Sequence, residues 1–96
     1  MLRKKLFDIT THAQKRMDER NIPHPYEMGL KIANGKARKQ IRESCKKEGL
    51  KRDYIYWTQF INRARYVYVC VQKDVNHYIV ITCFKYEKIS KDETQN

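Results

Sequence analysis

Three runs of alternating residues in the second half of the chain constrain its fold more than any other feature. They span residues 54–60, 65–72 and 77–86, and each is rich in the β-branched and aromatic residues that favour strands. The connections between them, 61–63 and 73–76, are far shorter than the dozen or more residues that a parallel crossover requires. The three runs are therefore expected to form consecutive antiparallel hairpins.

An amphipathic helix is predicted ahead of these strands, from residue 11 to about residue 20. Thr11 is the expected N-cap, because Gln14 follows it at the spacing of a capping box. Ala13 and Met17 are four residues apart, so they share one face that can pack on a core. Pro23 then ends the helix, since proline lacks the amide donor that a continuing helix needs.

A second stripe of the same helix carries the residues of greatest chemical interest. His12, Arg16 and Arg20 recur every four residues, so their side chains lie together beside the apolar stripe. An imidazole can transfer a proton near neutral pH, and a planar guanidinium can hold two phosphate oxygens at once. The stripe favours a phosphate ligand, while arginines paired with nearby carboxylates on an exposed surface would also explain it.

The segment between this helix and the strands predicts a second helix, then a charged edge strand and a loop. Pro25 suits the first turn of a helix, and Asn34-Gly35 is a typical stop signal at its end. Residues 36–42 are predicted as a charged edge strand, and residues 43–51 as a lysine-rich mobile loop.

These elements predict an α+β fold in which two N-terminal helices pack on one face of a three- to four-stranded antiparallel sheet. The opposite face would carry tyrosines interleaved with basic residues, a combination that binds RNA by stacking on bases and contacting phosphates. Tyrosines are also ordinary strand formers, so part of this set would only complete the sheet. Residues 1–87 are expected to form this single domain, and residues 88–96 a polar flexible tail.

The charge balance favours a polyanionic partner. Lysine and arginine number 21 against 11 aspartate and glutamate residues, which gives a formal net charge of +10. For one small domain this excess points to nucleic acid, and a merely soluble basic protein is the alternative. The sequence contains no apolar segment of membrane-spanning length and no apolar leader, so we expect a cytoplasmic protein with no membrane contact.

The cysteines and histidines indicate neither a disulfide framework nor a metal site. Cys70 and Cys83 lie in apolar runs and are expected in the core, whereas Cys45 lies in the predicted loop. His24 and His77, like the helical histidine, are not paired with cysteines at the spacings of zinc ligands. No metal and no cofactor is therefore expected.

A resemblance to a known family adds to this interpretation. The helix motif T-x-H-A-x-x-R-M-x-x-R-x-I, from Thr10 to Ile22, and the closing run Ile79–Phe84 resemble a family of small domains. That family is grouped with the barnase–EndoU–colicin–RelE ribonuclease fold, which includes the RelE-like toxins. The similarity spans nearly the whole chain, from Ile9 to Tyr86. It implies a metal-independent ribonuclease scaffold with a basic cleft between the first helix and the sheet.

RNA cleavage without a metal, the activity that the resemblance implies, needs a base and phosphate-binding groups, and the matching residues can supply them. His12 would be the general base, Arg16 and Arg20 would hold the phosphate, and Thr82 of the last strand would orient it. Two residues after that threonine the family pattern often has Tyr or His, and this chain has a phenylalanine, which cannot exchange a proton. The proton donor would then be Lys85 or Tyr86, or the protein would bind RNA without cutting it.

Two hypotheses follow from the sequence. The first is a RelE-like toxin or endoribonuclease that cleaves RNA, free or ribosome-bound, and has a protein antitoxin as partner. The second is a non-catalytic module that binds RNA or an acidic protein with the same face. The catalytic candidates are His12, Arg16, Thr82 and Tyr86, and the nucleic-acid-binding candidates are Arg20, Arg63, Arg65 and Lys85.

Overall fold

A computed structural model of the chain describes residues 6–25, 29–50, 52 and 54–86. Within these residues two strands alternate with two helices along the first half of the chain, and three consecutive strands follow. The elements in chain order are β1 (Leu6–Ile9), α1 (Thr11–Arg20), β2 (Leu30–Ile32), α2 (Gly35–Lys47), β3 (Ile55–Ile61), β4 (Ala64–Asp74) and β5 (His77–Tyr86).

The five strands form one mixed sheet in the order β1-β5-β4-β3-β2. The antiparallel hairpins β3–β4 and β4–β5 confirm the expectation from the alternating runs. β1 is parallel to β5, with Leu6 opposite His77 and Ile9 opposite Val80. The short strand β2 pairs with β3 and forms the other edge.

Helix α1 forms where the sequence predicts it, with its N-cap one residue earlier. The side chain of Thr10 accepts a hydrogen bond from the Ala13 amide at 3.1 Å, and its hydroxyl donates to the Val80 carbonyl at 3.1 Å. Thr10 therefore caps the helix and fixes it to β5 at the same time. At the other end, Asn21 adopts the left-handed conformation and its amide bonds the Met17 carbonyl.

The prediction for residues 25–51 is wrong at residues 30–32 and 35–47, whereas residues 48–50 of the predicted loop do lie outside any helix or strand. Leu30–Ile32 is a strand and not the end of a helix, and helix α2 occupies the predicted edge strand and the first part of the predicted loop. Asn34 is the N-cap of α2 and not a stop signal. Residues 26–28 of the predicted second helix lie outside the described residues, as does the predicted tail, 88–96.

The two helices cover opposite faces of the sheet. Neighbouring residues of a strand point to opposite faces. Tyr56 and Trp57 of β3 therefore belong to two different core clusters, one on each face of the sheet. The cluster on the α1 face contains Trp57 with Ala13 and Met17 of α1. The cluster on the α2 face contains Tyr56 with the buried α2 residues Ile41 and Cys45.

This arrangement corrects the predicted fold class. The predicted fold has two N-terminal helices on one face of a three- to four-stranded antiparallel sheet. The observed fold is roughly α+β with a five-stranded mixed sheet between its two helices. The expected open face of tyrosines is also absent from the described residues, because Tyr56, Tyr68 and Tyr78 are buried under one helix or the other.

Candidate functional site

A basic cleft opens on the α2 face, where the β3–β4 hairpin extends beyond the start of α2. Its volume is about 410 Å³. Helix α2 supplies one wall and the hairpin supplies another, with the last residue of β5 between them. The residues of the basic cleft are Lys36, Ala37, Gln40, Phe60, Arg63, Arg65 and Tyr86.

The turn of the hairpin places one of the cations. Asn62 and Arg63 form its two central residues and both have positive φ, 51° and 67°. Positive φ at both positions is the signature of the turn that matches the twist of a two-residue hairpin. Ile61 pairs with Ala64 directly beside this turn. Arg63 is therefore held at the tip of the hairpin, at the mouth of the cleft.

Aromatic rings and cations alternate across the cleft. Phe60 is opposite Arg65 in the β3–β4 register, and Arg65 is opposite Tyr86 in the β4–β5 register. The Arg65 guanidinium carbon lies 5.8 Å from the centre of the Tyr86 ring, a cation–π distance. The Tyr86 hydroxyl donates a hydrogen bond to Gln40 Oε1 and so fixes its ring against α2. Phe60 is 65% exposed, which is unusual for a large apolar ring.

A smaller hollow continues the cleft toward the edge of the sheet. It has a volume of about 130 Å³, shares Phe60 and Arg65 with the cleft, and adds Lys31 of β2. Neither hollow has an Asp or Glu among its described lining residues. Four cations, Lys31 and Lys36 with the two arginines, therefore surround one exposed ring without a compensating carboxylate in the lining.

Three of the predicted site residues meet in this cleft. Arg65 and Tyr86 come together as neighbours on paired strands, and Arg63 lies in the turn just before the strand of Arg65. Lys36 and Phe60 were not among the candidates. The sequence could indicate Phe60, because a two-residue turn places it opposite Arg65 in the hairpin. No comparable pattern indicates Lys36, which reaches the cleft through the packing of α2.

The candidates of helix α1 lie on the other side of the sheet. His12 is exposed in the first turn of the helix. Arg16 forms an ion pair with Glu19 at 2.8 Å, within the same helix. Arg20 donates a hydrogen bond to the Cys83 carbonyl at 2.9 Å. Cys83 lies on β5 beyond the residues of that strand that pair with β1. Arg20 thus covers a strand edge, and Arg16 has a surface ion pair.

Thr82 and Lys85 do not join either group. Thr82 is only 6% exposed and is opposite Val69, whose side chain belongs to the cluster on the α2 face. Because directly opposite residues of an antiparallel pair share a face, Thr82 lies on the face away from α1. Lys85 is exposed and opposite Tyr66, which packs on the α1 face. The structure therefore places the four predicted catalytic residues on two sides of the sheet.

The three cysteines are buried and protonated. Burial raises the pKa of Cys70 to about 12 and the pKa of Cys45 to about 11. Burial also raises the pKa of Cys83 to about 11, although the positive charges of Arg20 and Arg16 act in the opposite direction. Cys70 and Cys83 lie in the core as predicted, and Cys45 lies in α2 and not in a loop. A thiol held in its neutral form is a poor nucleophile and a poor metal ligand.

Within the described residues, no three His, Cys, Asp or Glu side chains lie together in a way that could hold a metal ion. Neither of the two helices that the structure describes is long and apolar enough to cross a membrane. No family model matches the chain, and no curated protein and no solved structure matches it either.

Proposed function

We propose that this protein binds single-stranded RNA in the basic cleft. The observation that carries the proposal is the exposed Phe60 ring among Lys36, Arg63 and Arg65, with the Tyr86 ring in the same lining. Cations hold the sugar–phosphate backbone, and aromatic rings stack on unpaired bases, whose faces a duplex conceals. Rings and cations in one cleft therefore support a single strand as the ligand more than a duplex.

The charge of the whole chain supports the same ligand. A net charge of +10 attracts a polyanion over long distances, and the cations around Phe60 then hold it at short range. Gln40 and the Tyr86 hydroxyl add polar atoms to the wall of the cleft. Such groups can contact a ribose 2′-hydroxyl, which is the group that distinguishes RNA from DNA.

The placement of the candidates favours binding over cleavage. Cleavage without a metal needs a base, an acid and phosphate-binding cations around one phosphodiester. His12 and Arg16 lie on α1, whereas Thr82 and Tyr86 lie toward the α2 face. Of the second hypothesis, a non-catalytic module that binds RNA or an acidic protein, we therefore propose the RNA-binding form. RNA cleavage, a ribosome-bound target and a protein antitoxin stay predictions, and a cytoplasmic location is part of the proposal.

The proposal is tested by removing the cations of the cleft. The test variant carries Lys36→Ala, Arg63→Asn and Arg65→Gln, since Asn tolerates the positive φ at the turn. A matched control removes three exposed cations elsewhere, with Lys15→Ala, Lys47→Ala and Lys73→Ala. Both variants lose three positive charges, so a difference between them reports position and not total charge.

Affinity for a fluorescein-labelled U8 RNA is measured by anisotropy at several salt concentrations. We expect the cleft variant to lose at least about tenfold in affinity and about 0.7 in salt slope for each lost phosphate contact. The control should keep most of the affinity. Equal losses in the two variants, or no RNA binding by the wild type, would overturn the proposal. A DNA oligonucleotide of the same sequence is the second ligand, and equal affinity for it would overturn the assignment to RNA.

Cleavage is tested on the same RNA with and without EDTA. We expect the wild type to leave the RNA intact, and His12→Ala to bind it within about twofold of the wild type, as expected for an exposed residue outside the interface. Cleavage that persists in EDTA and disappears in His12→Ala would overturn the proposal of non-catalytic binding and support the ribonuclease hypothesis.

A further inference from the structure

A second cavity lies on the other side of the same hairpin. This hairpin pocket has a volume of about 500 Å³, and its walls come from the end of α1, the segment after it, and the β3–β4 hairpin. Its lining residues are Met17, Asp18, Asn21, Ile22, Pro23, Ile61, Asn62 and Tyr66.

The hairpin pocket differs from the basic cleft in its chemistry. Its floor is apolar, since Met17 and Ile22 are 2% and 4% exposed. Tyr66 supplies an aromatic ring, and Asp18 supplies a carboxylate. No Lys, Arg or His is among the described residues that line it. A phosphate would be repelled by the carboxylate, whereas a flat heterocycle with hydrogen-bond donors would fit a lining of this kind.

We infer that the hairpin pocket binds an unpaired guanine base of the RNA that occupies the basic cleft. An ionised carboxylate only accepts hydrogen bonds, and it can accept two in parallel. Guanine presents two adjacent donors on its Watson–Crick edge, N1–H and the 2-amino group. Adenine and cytosine present one amino donor beside an acceptor, and uracil presents one imide donor between two acceptors. Guanine is therefore the base that matches Asp18.

The surrounding residues support this orientation. Gln14 Nε2 donates to Asp18 Oδ1 at 3.1 Å, which restrains the carboxylate on the surface of α1. Asn62, at the turn of the hairpin, offers an amide that can both donate and accept, as the remaining edge of a purine requires. Tyr66 can stack on the ring while the apolar floor excludes water.

The two cavities are joined by the hairpin itself. Residues of the hairpin alternate between them: Phe60, Arg63 and Arg65 line the cleft, whereas Ile61, Asn62 and Tyr66 line the hairpin pocket. A single strand that passes around the turn would leave its phosphates on the cationic side and turn a base into the pocket. The inference thus rests on the proposed RNA binding and adds a base preference to it.

The experiment compares U8 with an octamer that carries one guanine, UUUGUUUU, and with the matching octamers that carry one adenine or one cytosine. We expect the wild type to bind the guanine octamer about tenfold more tightly than the other three, the size of one good carboxylate–base pair. Asp18→Asn should abolish that preference while the affinity for U8 stays within about twofold of the wild type. Asn62→Gly, which keeps the positive φ and removes the amide, should reduce the preference in part.

Glu19→Gln is the matched control, because it removes a carboxylate from the neighbouring position of α1 that does not line the pocket. It should leave the guanine preference unchanged. Failure of the wild type to bind any octamer would overturn the proposed function. Equal binding of all four octamers would overturn the guanine inference alone, and so would a guanine preference that survives Asp18→Asn.

Discussion

The α1 face of the sheet carries a network of hydrogen-bonded polar groups, whereas the α2 face carries exposed aromatic rings and cations. On the α1 face, Tyr68 donates to the Pro23 carbonyl at 2.5 Å and accepts from Gln59 at 2.6 Å. Gln59 also donates to the His24 carbonyl at 2.9 Å, so the segment after α1 is tied to the sheet. On the α2 face, the strands continue beyond the helix, and Phe60 and Arg65 meet solvent.

This difference separates residues that hold the fold from residues that are available to a ligand. The polar groups of this network on the α1 face find partners within the protein, which satisfies them and leaves them little to offer outside. The cations on the α2 face surround the basic cleft without a carboxylate among the described lining residues. A ligand that carries negative charge and flat rings would neutralise these cations and stack on the exposed aromatic ring.

The largest expected effect comes from the two cores themselves. Met17→Ala on the α1 face and Ile41→Ala on the α2 face each remove a side chain that is at most 2% exposed. We expect each to lower the free energy of unfolding by about 2–5 kcal/mol, through lost burial and a cavity. Urea denaturation measures both. A loss below about 1 kcal/mol for Ile41→Ala would mean that α2 is not packed on the sheet as described.

The second effect contrasts two tyrosine hydroxyl groups. Tyr68→Phe leaves the part-buried Pro23 carbonyl without the Tyr68 donor and Gln59 without one acceptor, and should cost about 1–3 kcal/mol of stability. Tyr86→Phe removes a hydroxyl whose bond to Gln40 is exposed, and should cost less than about 0.5 kcal/mol. The two unfolding curves are compared under the same conditions, and equal losses would contradict the contrast between the faces.

A third effect is a decline of stability at alkaline pH. The folded chain raises the thiol pKa values from the ordinary 9.0 to about 11 for Cys45 and Cys83 and to about 12 for Cys70. Well below pH 9 both states keep their protons, and the full contribution to stability is present. As the pH rises further, only the unfolded state releases protons at first, so stability falls toward the folded pKa values.

Thiol labelling with Ellman's reagent at pH 8 checks the same burial more directly. We expect the three cysteines to react only at denaturant concentrations that unfold the chain. Rapid labelling of the native protein would contradict the buried, neutral state of these thiols. A variant with all three cysteines changed to Ala serves as the blank for the labelling, and its pH curve isolates the thiol contribution to the alkaline decline.

Local patterns made one half of this molecule predictable. The four-residue spacing of Ala13 and Met17 and a capping threonine produce helix α1, and alternating residues with short turns produce the hairpins. These features depend on neighbours in sequence, so the sequence contains their whole cause.

The other half depends on long-range packing. The spacing Ala37, Ile41 and Cys45 gives α2 an apolar stripe, but the surrounding lysines and arginines obscured it. The parallel pairing of β1 with β5 joins the two ends of the described chain, and no local pattern specifies it. For the site, the sequence indicates Arg63, Arg65 and Tyr86, whereas the place of Lys36 depends on how α2 packs beside the hairpin.

The central claim is that RNA lies in the basic cleft on the α2 face, and photocrosslinking tests it most directly. The protein is irradiated with an octamer RNA that contains 4-thiouridine, and crosslinked peptides are identified by mass spectrometry. The account predicts crosslinks at the rings of Phe60 and Tyr86, which line the cleft. Crosslinks confined to the exposed side of α1 around His12, with none at the hairpin or at Tyr86, would contradict it.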